Sequence, residues 1–135
     1  ENYMKKIQIE SRVMADMALN HIIPVALKYQ SNLVENVEGL KAIFGDGFKE
    51  QATTQLEMIF EINERIGVIR KNVKEMIEAR KKANNLDSME AQAKAYSDDV
   101  FPFFEPIRYN VDKLELVVDN AEWPLPKYRE LLFTK

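Results

Sequence analysis

Apolar residues recur every three or four positions through three long stretches of this chain, and very little interrupts them. Only four glycines and five prolines punctuate the 135 residues, which argues against a many-stranded fold, because turns between short strands call for those residues. The chain reads as all-α. In the first stretch, from about Lys5 to Phe44, the side chains of Ile22, Ala26, Tyr29, Leu33, Val37, Leu40 and Phe44 keep one helix face apolar, and Ile7, Met14 and Met17 continue that face more loosely upstream. Pro24 removes a backbone donor and collides with the preceding turn, so a kink is expected near residues 20 to 24 rather than a domain boundary. Gly45-Asp46-Gly47 then ends the first helix and starts the second.

The second stretch, about Phe48 to Ala83, carries Ala52, Leu56, Ile59, Ile62, Ile66, Ile69, Val73 and Met76 at coiled-coil-like steps. Its outward positions Glu57, Glu61, Glu64, Arg65, Lys71, Lys74, Glu75 and Glu78 mix signs as a solvated face does. Pairs on such a face stabilise a helix by only about 0.2–0.5 kcal/mol each, so packing has to hold it in place. Asn84-Asn85-Leu86-Asp87 reads as a turn in which Asp87 caps the third helix and Glu90 reaches back to it. In the third stretch, about 88 to 120, Ala93, Tyr96, Val100, Phe103, Ile107, Val111, Leu114 and Val118 hold their phase through Pro102 and Pro106. Both prolines fall off that stripe, which suggests a helix that bends without stopping; a break near Phe101 is the alternative. Three long helices with short connections imply an up-down-up bundle of antiparallel neighbours, one helical domain over 1–135 with helices at about 5–44, 48–83 and 88–120 and a docking tail over 121–135.

Charge excludes more than it suggests. Residues 1–45 carry five basic and five acidic groups, 46–85 eight and seven, and 86–135 six and ten, for a net charge of -3. The sole basic cluster, Arg80-Lys81-Lys82 with Lys74 and Arg70 nearby, sits at a helix C-terminus, where cations meet the helix dipole favourably, so it reads as a solvated end and not as a nucleic-acid footprint. No stretch approaches the roughly 20 apolar residues of a membrane span, and the first residues lack the hydrophobic region of a signal peptide. With no cysteine and no glycosylation sequon, a reducing, cytoplasmic setting is the simplest expectation. A chain that begins Glu1-Asn2-Tyr3 without a methionine is expected to be a piece of a longer one.

Residues able to do chemistry are scarce. His21 is the single histidine, so a zinc or iron site would depend on carboxylates alone. Glu10, Arg12, Asp16 and His21 are the one group that could form a cluster on a single helix, whereas the adjacent Asp98 and Asp99 point in different directions. Ser11, Ser31, Ser88 and Ser97 have only His21 as a base, and none stands in a glycine elbow. Gly45 and Gly47 flank a helix-helix turn, which is no phosphate loop. The methionines, among them Met14, Met17, Met58, Met76 and Met89, sit at or beside core positions and read as core filling. The aromatic group Phe101, Phe103, Phe104, Tyr109 and Trp123, with Leu131, Leu132 and Phe133, is larger than one narrow seam needs. It either forms a second apolar face or fills the bundle end under a folded-back tail.

Several segments together carry a family resemblance. The tail from Asp119 through Glu122-Trp123-Pro124-Leu125-Pro126-Lys127-Tyr128-Arg129-Glu130-Leu131-Leu132-Phe133, the stretch Ile107-Arg108-Tyr109-Asn110-Val111-Asp112-Lys113-Leu114, and Glu10-Ser11-Arg12-Val13-Met14-Ala15-Asp16 through Pro24 resemble the C-terminal region of type III glutamine synthetases. So do Tyr29 through Lys41 and Ala79-Arg80-Lys81-Lys82-Ala83-Asn84, so the resemblance spans nearly the whole chain. It implies a parent enzyme that is a cytoplasmic, ring-assembled ligase joining ammonia to glutamate with ATP and Mg2+ or Mn2+. The catalytic and metal-binding residues of such an enzyme would lie on other domains, so the resemblance places no catalytic, cofactor or metal residue here. It implies a noncatalytic helical domain that packs on the catalytic domain and contacts neighbouring subunits, with Trp123, Tyr128, Leu131, Leu132 and Phe133 as its docking side chains. Asn110 and Asn120-Ala121 depart from the family pattern at expected surface or packing positions. The alternative reading is a free-standing module that binds a partner helix along an apolar groove; neither reading expects a nucleic-acid or membrane partner.

If the Trp123 ring is buried against the helices, Trp123→Ala lowers stability by about 3 kcal/mol in chemical denaturation. A loss below about 0.5 kcal/mol would place the tail outside the folded unit.

Overall fold

The computed structural model describes residues 2–118, and every regular element among them is helical. The first helix comprises α1 (Asn2–Met17), a π-helical turn (Ala18–Ile22) and α2 (Ile23–Phe44). A 3-10 turn at Gly45–Gly47 leads into the short α3 (Phe48–Gln51), and after Ala52 comes α4 (Thr53–Asn84). The third helix comprises α5 (Met89–Ala95), a π-helical turn (Tyr96–Val100), a 3-10 turn (Phe101–Phe103) and α6 (Phe104–Glu115).

The two π-helical turns have a common cause. A proline inside an α-helix lacks the N–H that should reach the carbonyl four residues back, and its ring collides with that carbonyl. Here the Ile23 N–H donates to the Ala18 carbonyl and the Phe101 N–H to the Tyr96 carbonyl, each five residues back, with Pro24 and Pro102 following at once. The wider turn shifts the obstructing carbonyl and lets the helical path continue. Where the sequence places a kink at residues 20 to 24, the structure thus places a π-helical turn. Gly45 has φ 60 and ψ -134, a conformation open only to glycine, and it turns the chain out of α2.

The core collects where three helices meet. Ile7, Ile22 and Ala26 of the first helix, Ile62, Ile69, Val73 and Met76 of α4, and Tyr96, Val100, Phe104, Ile107 and Leu114 of the third form one buried cluster. Burying side chains of this size stabilises the fold by roughly 1.5–3 kcal/mol apiece. The Phe101 and Phe104 rings meet edge to face at 5.3 Å, and Tyr3 lies 6.3 Å from Phe101. The apolar stripes of the sequence lie along this core, and several details differ from the reading above. Phe104 and not Phe103 is the fully buried ring, because the π and 3-10 turns just before it change the rotation per residue. Phe44 and Met89 are exposed, since each stands at a helix end beside a turn. Arg65, assigned above to the outer face, is largely covered. Ser88, extended at φ -116 and ψ 153, caps α5 by accepting the Ala91 N–H at 3.0 Å, one residue later than the Asp87 cap expected above. Among the described residues the last α-helical one is Glu115, and the expected end near 120 lies outside them.

These caps make a direct comparison. Ser88→Ala is expected to cost about 1 kcal/mol in urea denaturation, while Asp87→Ala should stay within about 0.5 kcal/mol of the starting protein.

Candidate functional site

The residues with chemical potential do not build a reaction centre among those described. His21 is exposed, and its Nε2 lies 3.6 Å from Asp16, whose carboxylate also accepts a 2.7 Å hydrogen bond from Asn20. Glu10 instead lines an apolar trough, and Arg12 is exposed. Ser11 is fully buried and donates to the Gln8 carbonyl at 2.9 Å, so it is a satisfied core hydroxyl. Lys94 donates to Asp98 at 2.8 Å, and that carboxylate holds its ammonium above the ordinary lysine value as an exposed surface pair. No group of three His, Cys, Asp or Glu among the described residues could hold a metal ion. Lys74 and Lys82 of the basic cluster share a cleft of about 720 Å³ with Asp98 and Asp99, so these two lysines stand beside acidic groups. No helix of the described residues is long and apolar enough to cross a membrane.

What the molecule does present is apolar surface, in two places. The first is a trough of about 410 Å³ between α1 and α6. Ile9, Val13, Met17 and Ile22 form one wall, Ile107 and Val111 the other, and Glu10, Arg108 and Asp112 carry charge at the site. Ile9 and Val13 are 62% and 57% exposed there, although Ile7 and Ala15 on the same helix are buried. The second is the far part of the α2–α4 pair. Between Leu27 and Glu61 only Ala52 is fully buried, while Leu27, Val34, Ile43, Phe44 and Phe60 stand exposed, Phe60 to 70%. Gln30 donates to the Ile59 carbonyl at 3.0 Å and to Asn63 at 2.8 Å, and Gln55 donates to Asn36 at 2.8 Å. This arm is thus stitched by amide side chains where the core is thin.

A polar joint ties the arm side of α4 to the third helix. Arg65 donates to the Asn110 Oδ1 at 3.0 Å, and Asn110, 5% exposed, donates from Nδ2 to the Pro106 carbonyl at 2.8 Å. The guanidinium also lies 5.6 Å from the Tyr109 ring, with Glu61 3.7 Å away along its own helix. One side chain thereby links the Pro106 carbonyl to a cation on α4. The sequence carries a weak signal for it: Asn110 stands three residues after Ile107 and four before Leu114, on the buried stripe. The docking residues expected in the tail, Trp123, Tyr128, Leu131, Leu132 and Phe133, lie outside the described residues.

Comparison with known proteins adds what geometry alone does not carry. The model of a family described as the glutamine synthetase C-terminal domain matches residues 1–41. The chain is 46% identical to a glutamine synthetase of Bacteroides fragilis (strain YCH46), an alignment covering 100% of this chain and 19% of that protein. It is 26% identical to a type-3 glutamine synthetase of Dictyostelium discoideum, covering 100% of this chain and 18% of that one. A Butyrivibrio fibrisolvens glutamine synthetase is 24% identical over 99% of the chain. The chain spans about a fifth of the length of these relatives.

The joint yields a sharp expectation. Asn110→Ala leaves the covered Arg65 guanidinium without its acceptor and should cost about 1–3 kcal/mol. Arg65→Met combined with Asn110→Leu should recover much of that loss in the same denaturation experiment, because no buried polar group is then left unpaired.

Proposed function

From the match of residues 1–41 to the glutamine synthetase C-terminal domain and the similarity of the whole chain to part of a glutamine synthetase, we propose a noncatalytic role within an enzyme that ligates ammonia to glutamate with ATP. The domain packs on the catalytic domain of its parent and supports contacts with neighbouring subunits in a cytoplasmic oligomer. ATP and Mg2+ or Mn2+ belong to the parent's catalytic domain in this reading, as the family resemblance implies.

The observation that carries the proposal is the thinly covered arm. Leu27 and Val34 lie seven residues apart, two helical turns, so they share one side of α2. We infer an up-down-up order for the three helices. Its support is that hydrogen-bonded partners run in opposite senses, Gln30 with Asn63 against Asn36 with Gln55, and Asn84 with Tyr96 against Arg65 with Asn110. In an antiparallel pair, the positions one step past each seam residue fall on a common side, and Leu27, Val34 and Phe60 follow Ala26, Leu33 and Ile59 in that way. The exposed phenylalanine then stands between the leucine and the valine, and contiguous apolar surface of this kind marks a contact site. Aromatic and aliphatic side chains clustered so, with charged residues around them, suit the central part of a subunit or domain interface.

The test uses the full-length parent enzyme. Val34→Glu with Phe60→Glu should lower its assembled mass in light scattering and its glutamine synthesis together. The melting temperature of the domain should move little, because both positions are exposed. Assembly and activity equal to the unmodified enzyme would refute the role and leave the arm to an outside partner.

A further inference from the structure

We propose that the trough between α1 and α6 is the seat of the chain's own C-terminal segment, Trp123–Phe133. The inference does not depend on which enzyme the domain serves. Three observations converge on it.

The trough is unfinished core. Ile9 and Val13 open onto it at 62% and 57% exposure, on a helix whose Met4, Ile7 and Ala15 are buried. Leaving two such side chains in water forgoes stabilisation that a covering apolar segment would supply. The path of the chain favours an occupant from the same molecule. α6 supplies one wall through Ile107 and Val111 and ends at Glu115, and Val118 is buried at 2% exposure. Seven residues beyond Val111, the chain is within about 10 Å of the trough along the helix direction. Seventeen more residues follow, 119–135, whose extended reach of roughly 55 Å far exceeds what a reversal requires.

The chemistry of that segment matches. In the sequence, Trp123-Pro124-Leu125-Pro126 brings an aromatic ring and two prolines together, and Leu131 and Leu132 follow Tyr128 by three and four residues, the spacing of one apolar helix face. The first-helix wall from Ile9 to Ile22 is about 20 Å long, and a helical stretch the length of Lys127–Phe133 would need only about half of that. Lys127 and Arg129 beside this face complement Glu10 and Asp112 at the trough, and Glu130 complements Arg108. The effective concentration of a tethered segment, in the millimolar range for a short linker, favours it over a separate partner.

Trp123 is the single tryptophan of the 135-residue chain, so it reports on its own surroundings without interference. In the full chain at low concentration, its emission should be blue-shifted from that of the urea-denatured chain and its quenching by acrylamide reduced several-fold. Val13→Asp should move both readings most of the way to the denatured values while circular dichroism keeps its helical signal. Ile9→Glu serves as the second probe should Val13→Asp unfold, and Phe60→Ser on the arm should change neither reading. The proposal is overturned if Trp123 is as accessible in the native chain as in urea, or if its shielding survives both trough substitutions. Shielding that appears only as the scattered mass doubles would overturn it in favour of a second copy. Shielding seen only on addition of the parent's catalytic domain would overturn it in favour of that domain.

Discussion

The fold depends on one row of side chains. Ile62, Ile69, Val73 and Met76 on α4 have no exposed surface, and a single helix cannot cover another on all of its apolar flank. The first helix covers part of it through Ile22 and Ala26, and the third through Tyr96, Val100, Phe104, Ile107 and Leu114. Where both are present the packing is complete. Where α4 and α2 have only each other, below Glu61, core gives way to half-buried Leu33, Ile59 and Leu56 and to hydrogen-bonded glutamines and asparagines.

That gradient divides the labour of the molecule. The three-helix junction supplies the burial that stabilises the fold, and the two-helix arm presents its side chains outward, stiffened by continuity with the junction. The Arg65–Asn110 hydrogen bond sits at the change from one regime to the other. A charge-assisted hydrogen bond at a covered position adds directional register between α4 and α6 that apolar contacts alone do not specify. The π-helical turns before Pro24 and Pro102 serve the same end, keeping each long helix in one piece so that both of its halves reach their partners.

Much of this was legible in the sequence because it follows from periodicity. The apolar repeats of Ile62 to Met76 and of Ile107 to Leu114 lie on the core, and the glycine pair at Gly45 and Gly47 ends α2. The misplaced details belong to interactions that a period does not encode. Phe103 in place of Phe104 is a phase error produced by two irregular turns. Asp87 in place of Ser88 is a choice between adjacent capping residues that only the backbone torsion decides. Arg65 looked like one more surface charge, since its acceptor is 45 residues away in sequence. The reading of the chain as part of a glutamine synthetase rested on resemblance and agrees with relatives that match it from end to end at 46% and 26% identity. No site chemistry could have led there, because the described residues contain no reaction centre to read.

Amide hydrogen exchange across the chain tests the central claim most directly, since local opening ranges from nearly free in frayed segments to the full unfolding free energy in the core. The account predicts the slowest exchange at residues 62–76 and 96–114, with protection falling progressively along α2 and α4 toward Gly45. Equal protection of the arm and the junction would contradict it. Such a result would mean that the arm carries a core of its own.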